Sequence, residues 1–208
     1  MVSIRTVGAA LILLANRPFA RADTDADVFV AHQVATRTFE ADLRQTFHWT
    51  FPPRHVVSLG HICYQAPDLL AIVFTNPAPE LVLVRGDELY IKRDRKRLAK
   101  YKLEVRHGKP TQNVQFLLSF FQNGCTNFAG LFDASTSSSN NTRTVTLTPK
   151  HRLQMFPLCS VENVMTWPSM DIQSMRIGLI LNSYIIYDFD RVRRNQPLDK
   201  KVFEVPQE

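Results

Sequence analysis

Glycine and cysteine are scarce in this chain, with seven and three residues in 208. The glycines form no GxSxG nucleophile elbow, and the six histidines form no HExxH pair, so two common hydrolase signatures are missing. The cysteines Cys63, Cys125 and Cys159 form no CxxC. His61 and Cys63 share one face of a strand, but two ligands without a third do not make a zinc site. No metal, cofactor or catalytic residue is therefore expected. Nor is there an apolar run near the ~20 residues that span a bilayer as a helix. Internal repeats and linker-like stretches are also lacking, which leaves one domain of ordinary size.

What is present is apolar bulk. Fourteen phenylalanines stand against the seven glycines, and apolar residues make up 45% of the chain against 21% charged. That is globular composition, with large rings to spare beyond an ordinary core. The net charge is +6, but Arg5, Arg17 and Arg21 lie in a first segment without acidic residues. Residues 23–208 hold 22 basic and 19 acidic side chains, too mild a balance for nucleic acid. The dense run Lys92 to Arg97 reads as a solvated hairpin loop.

Residues 1–22 read as a signal peptide. Arg5 is the positive region, Val7 to Ala15 the apolar region, and Ala20-Arg21-Ala22 the small-x-small cleavage site. No cysteine follows the cleavage point, so the exported protein, residues 23–208, is expected to be periplasmic, soluble and not itself acylated. In an oxidising compartment one disulfide among the three cysteines is open, as is three buried thiols.

Along the mature chain, Val28, Ala31, Ala35, Phe39 and Leu43 recur at helical spacing, which predicts a helix over 27–47. The period then becomes strand-like: 55–64, 69–75, 80–84, 88–92 and 98–105, with Arg85-Gly86-Asp87 as a hairpin turn. Two short, very apolar helices are predicted over 111–122 and 125–132, followed by a polar loop over 135–142. Strands resume at 143–147, 153–158, 161–167, 175–181 and 184–189. This order predicts an antiparallel α+β domain. Leu69 to Phe74 is apolar at every position, so this strand is expected to be covered on both faces, by helices or by a ligand.

Particular segments carry a likeness. Gly60-His61-Ile62-Cys63-Tyr64-Gln65-Ala66-Pro67 leads into Leu69 to Phe74 and Pro77, then Leu81 to Tyr90 through a glycine turn. Phe39, Leu43 and Gln45 precede them; Leu147-Thr148-Pro149-Lys150, Asn195-Gln196-Pro197-Leu198-Asp199, Phe203 and Pro206 follow. In this order they resemble the LolA/LolB superfamily of outer-membrane lipoprotein carriers. The resemblance implies a curved, unclosed antiparallel β-barrel with helices forming a lid over a hydrophobic cavity. It implies a carrier for the acyl chains of lipoproteins, loaded by an inner-membrane transporter and unloaded by an outer-membrane acceptor. The chain departs from the family at Ala66, where LolA-type carriers have an arginine that holds the lid by hydrogen bonds.

Alternate residues of a strand share a face, so Leu70, Ile72 and Phe74 are expected to line the cavity, with Val82 extending that face. Phe116, Leu117 and Phe120 are expected to form the underside of the lid. The protein is expected to be a monomer that touches membranes transiently. Two other readings use the same fold: a general lipid or glycolipid carrier, and an envelope-stress module that senses lipid and binds a partner.

Overall fold

The structure, a computed structural model, describes residues 25–94, 96–103, 114, 117–118, 120–121, 132–150 and 158–206. A helix α1 (Asp25–Val34) precedes eleven strands. These are β1 (Thr38–Trp49), β2 (Arg54–Gln65), β3 (Leu69–Asn76), β4 (Glu80–Arg85), β5 (Glu88–Arg93) and β6 (Ala99–Lys102). The second half holds β7 (Phe132–Ser139), β8 (Thr142–Pro149), β9 (Leu158–Thr166), β10 (Ile172–Leu179) and β11 (Tyr184–Arg194). All eleven join in one antiparallel sheet of order β6-β5-β4-β3-β2-β1-β11-β10-β9-β8-β7. The first and last strands pair at its middle, and β6 and β7 are its two edges. Those edges do not pair with each other, so the curled sheet stays unclosed.

The curl gathers the apolar side chains of both halves into one core. Phe39, Ala41 and Leu43 of β1 meet Ile62 and Tyr64 of β2, Leu70, Ile72 and Phe74 of β3, and Met175, Ile185 and Phe189 from the other half. Close backbone approach occurs at Gly60, where the β2–β3 register shifts. A Cβ there would lie 2.4 Å from the Val73 carbonyl oxygen, so only glycine fits.

The all-apolar strand β3 is covered on its inner face and, around Ala71, on its outer face, while Val73 stays exposed. Leu70, Ile72 and Phe74 point inward. On the convex face, Ala71 packs with Cys63, Leu83 and Phe203, the last carried by a 3₁₀ turn at Lys200–Phe203. That cover is the C-terminal segment, not a helix or a ligand. The NQPLD stretch has a mechanical role here. Asn195 Oδ1 accepts the Arg37 N–H at 2.7 Å, and Asp199 caps the 3₁₀ turn by accepting from Lys201 N–H at 3.0 Å.

The helix predicted over 27–47 is corrected. It ends at Val34, and Thr38–Trp49 is a strand. In β1 the buried residues Phe39, Ala41 and Leu43 alternate with Glu40, Asp42 and Arg44, a period of two that the four-residue step from Phe39 to Leu43 also satisfies. The polar loop over 135–142 is likewise corrected. Most of it is β7, an edge strand exposed from Asp133 to Ser139, which pairs by backbone with β8 and buries too little to show alternation. The strand predicted over 175–181 begins earlier, at Ile172, and ends at Leu179 before a 3₁₀ turn. The predicted signal peptide, the 125–131 part of the second apolar helix and the 153–157 part of the next strand lie outside the described residues. No described helix is long and apolar enough to cross a membrane.

Candidate functional site

The concave face of the sheet is the candidate site. Leu70, Ile72, Phe74 and Val82 all point into it and are buried. The register sets Ile72 opposite Ile62 on one side and Val82 on the other, which makes a continuous apolar row across three strands. Leu117 and Phe120 are helical and buried in the same core; Phe116 lies outside the described residues.

Aromatic rings cover this face. Phe121 stacks on Tyr64 at 5.1 Å between centroids and meets Phe39 at 4.7 Å. Phe120 lies 5.6 Å from Phe29 of α1. The cover thus comes from outside the sheet, namely from Phe29 of α1 and from Leu117, Leu118, Phe120 and Phe121. Phe29, Tyr64 and Phe121 join the site without a sequence signal of their own, although Phe121 belongs to the apolar run over 111–122.

α1 is fastened by one buried cation. The Arg194 side chain, 9% exposed, donates to Thr36 Oγ1 at 3.0 Å and meets His32 Nδ1 at 3.2 Å. It also lies 3.4 Å from an Asp171 carboxylate oxygen and rests over the Phe39 ring. Burial pulls its pKa down to about 10, opposed by Asp171, so it stays charged at neutral pH. His32 is held below its ordinary value, first by burial and then by repulsion from Arg194. No residue pattern pointed to Arg194.

Ala66 lines an open groove of about 490 Å³ with Arg37, Thr38, Gln65, Pro67, Pro197, Leu198 and Lys200. It carries two cations, Arg37 and Lys200, and its Ala66 packs against the edge of the apolar core.

A polar side chain without a partner among the described residues interrupts the apolar lining. Asn163 of β9 sits opposite Val145 and Met175, wholly buried. Neither its amide nitrogen nor its oxygen has a hydrogen-bond partner among the described residues. Such a group costs free energy unless something supplies a partner.

No family model and no curated protein matches the sequence. Solved structures do match. A MucB structure is 11% identical, with a TM-score of 0.55 over 88% of this chain, which spans 63% of that one. An uncharacterized conserved protein from Thermus thermophilus is 6% identical, with a TM-score of 0.54 over 88% of this chain and 93% of that one. A LolA superfamily protein from Nitrosomonas europaea, 10% identical over 86% and 97%, gives a TM-score of 0.44. Such identities speak to the fold alone, which this chain shares with the MucB and Thermus thermophilus structures.

Proposed function

We propose that this protein is a periplasmic carrier that takes the acyl chains of a lipoprotein into its concave apolar face and shuttles them from the inner to the outer membrane. The observation that carries the reading is a continuous inward row of apolar residues whose cover lies outside the sheet. Rings such as Phe29, Phe120 and Phe121 are bulk that an acyl chain would replace as the helical cover moves aside. The proposed contacts are Leu70, Ile72, Phe74, Val82, Leu117 and Phe120, with Phe116 assigned from sequence.

The energetics favour exchange over permanent capture. Moving a ~16-carbon chain out of water is worth on the order of 12 kcal/mol, at about 0.8 kcal/mol per methylene. Displacing buried aromatic rings offsets part of this, which leaves cargo that can be handed on. Arg194 supplies the fastening that Ala66 does not, from the opposite end of the chain.

Asn163 adds a polar preference. An ester or amide carbonyl accepts from its amide nitrogen, and an amide N–H donates to its oxygen. Acylated cysteine carries both ester and amide groups.

A titration with a fluorescent fatty acid and then a triacylated lipopeptide tests the reading. Saturable one-to-one uptake is expected, abolished by Ile72→Glu in protein that stays folded by circular dichroism, and kept by Ser137→Glu on the exposed edge strand. Failure of the wild-type protein to take up either probe overturns it. A second reading draws on the MucB likeness, since MucB is seen in complex with MucA. In that case a partner's periplasmic segment binds and acyl probes do not.

A further inference from the structure

The convex face carries a cluster that the carrier reading does not use. β1 and β2 pair so that Glu40 stands opposite Cys63 and Asp42 opposite His61. All four belong to the outward set of their strands. A carboxylate oxygen of Glu40, a ring nitrogen of His61 and the Cys63 sulfur lie within 4.8 Å of one another. Among the described residues this is the one group of three such donors.

Each neighbour is turned to orient these donors. Glu40 presents Oε1 to His61 Nε2 at 2.8 Å, while its Oε2 is held by Arg193 at 2.7 Å. Asp42 presents Oδ1 to His61 Nδ1 at 3.1 Å, while its Oδ2 is held by Arg191. A carboxylate on Nδ1 fixes the imidazole so that Nε2 can turn from Glu40 to a metal, the arrangement found behind metal-bound histidines. Cys63 is a free thiol, buried beside Phe203. His61 is partly exposed, leaving an approach and room for a water ligand.

We infer that Glu40, His61 and Cys63 form a binding site for a borderline-soft divalent cation of the zinc class, with Asp42 as the residue that orients His61. Thiolate, imidazole and carboxylate together match zinc rather than calcium or magnesium, which take oxygen ligands. Bonds of about 2.0–2.3 Å place tetrahedral ligand atoms roughly 3.3–3.7 Å apart, so the widest separation must close by about 1 Å while Glu40 and His61, at 2.8 Å, part by about half an ångström. Binding displaces the thiol proton to solvent and the imidazole–carboxylate contact at Nε2. The metal would tie β1 to β2. The third ligand was hidden in the sequence because Glu40 had been assigned to a helix.

The test uses purified protein, reduced and stripped with a chelator. Calorimetry with Zn²⁺ should show one equivalent bound, and Co²⁺ should give a thiolate-to-cobalt charge-transfer absorption. Cys63→Ser should remove that absorption. His61→Gln and Glu40→Gln, both at partly exposed positions, should each weaken zinc binding, and Asp42→Asn should weaken it roughly 10- to 100-fold. Uptake of the acyl probe, on the opposite face, should be unchanged in these variants. Absence of saturable zinc binding, or binding indifferent to Cys63→Ser and His61→Gln, overturns the assignment.

Discussion

Asn163→Val is the most informative single substitution. Both polar atoms of Asn163 are buried and have no partner among the described residues. Leaving such a group unsatisfied costs roughly 1–3 kcal/mol. Valine suits a strand and adds little volume, so overpacking offsets only part of the gain. The net expectation is a lipid-free protein more stable by about 1–2 kcal/mol. At about 2–4 °C per kcal/mol for a chain of this length, Tm should rise by roughly 2–8 °C. The same change removes the polar partner offered to cargo, so affinity for a triacylated lipopeptide should fall roughly threefold to tenfold, one hydrogen bond's worth. Affinity for a simple hydrocarbon probe should hold. Differential scanning calorimetry and a probe titration read both effects. A lower Tm together with unchanged lipopeptide affinity would refute the reasoning, because Asn163 would then be a satisfied structural residue.

Three further expectations follow from the fastening of α1 and the bend of the sheet. Arg194→Met should loosen α1 by about 2–3 kcal/mol, since hydrogen bonds to a charged group are worth about 1.5–3 kcal/mol. Amide exchange in α1 should accelerate by roughly 30- to 150-fold with the central strands unaffected; unchanged exchange would contradict the fastening. Acidification should act in the same direction. His32 has its pKa lowered in the folded state from 6.5, so the unfolded state binds more protons as pH falls. Its contribution is complete above pH 6.5 and declines below it; α1 exchange that is flat across this range would dismiss the role of His32. Gly60→Ala sets a Cβ against the Val73 carbonyl and should cost about 1–3 kcal/mol in urea unfolding, whereas a neutral result would mean that β2 and β3 part readily.

The fold was legible where strands alternate or where turn chemistry is strong. Gly86, at φ 61°, closes the β4–β5 hairpin where Arg85-Gly86-Asp87 predicted a turn. The β3 row was legible because six consecutive apolar residues demand two covers. β1 was misread because Phe39 and Leu43 satisfy both periods, and burial of Ala41, a small residue, decides between them. β7 left no signal, since an edge strand with both faces wet needs no apolar residue. Arg194 and Asn163 were missed for a different reason. Each is a polar residue whose importance lies in burial, which only the assembled sheet and helix define. Arg194 reaches α1 across more than 150 residues, and Asn163 is enclosed by neighbours on β8 and β10.

The most direct test of the central claim is photo-crosslinking with an acyl chain that carries a diazirine near its end, followed by peptide mapping. The account predicts labels on Leu70, Ile72, Phe74 or Val82 and on the helical stretch that holds Leu117 and Phe120, suppressed by excess lipopeptide. Labels confined to the open groove around Arg37, Pro67 and Lys200, or to the outer face, would contradict it.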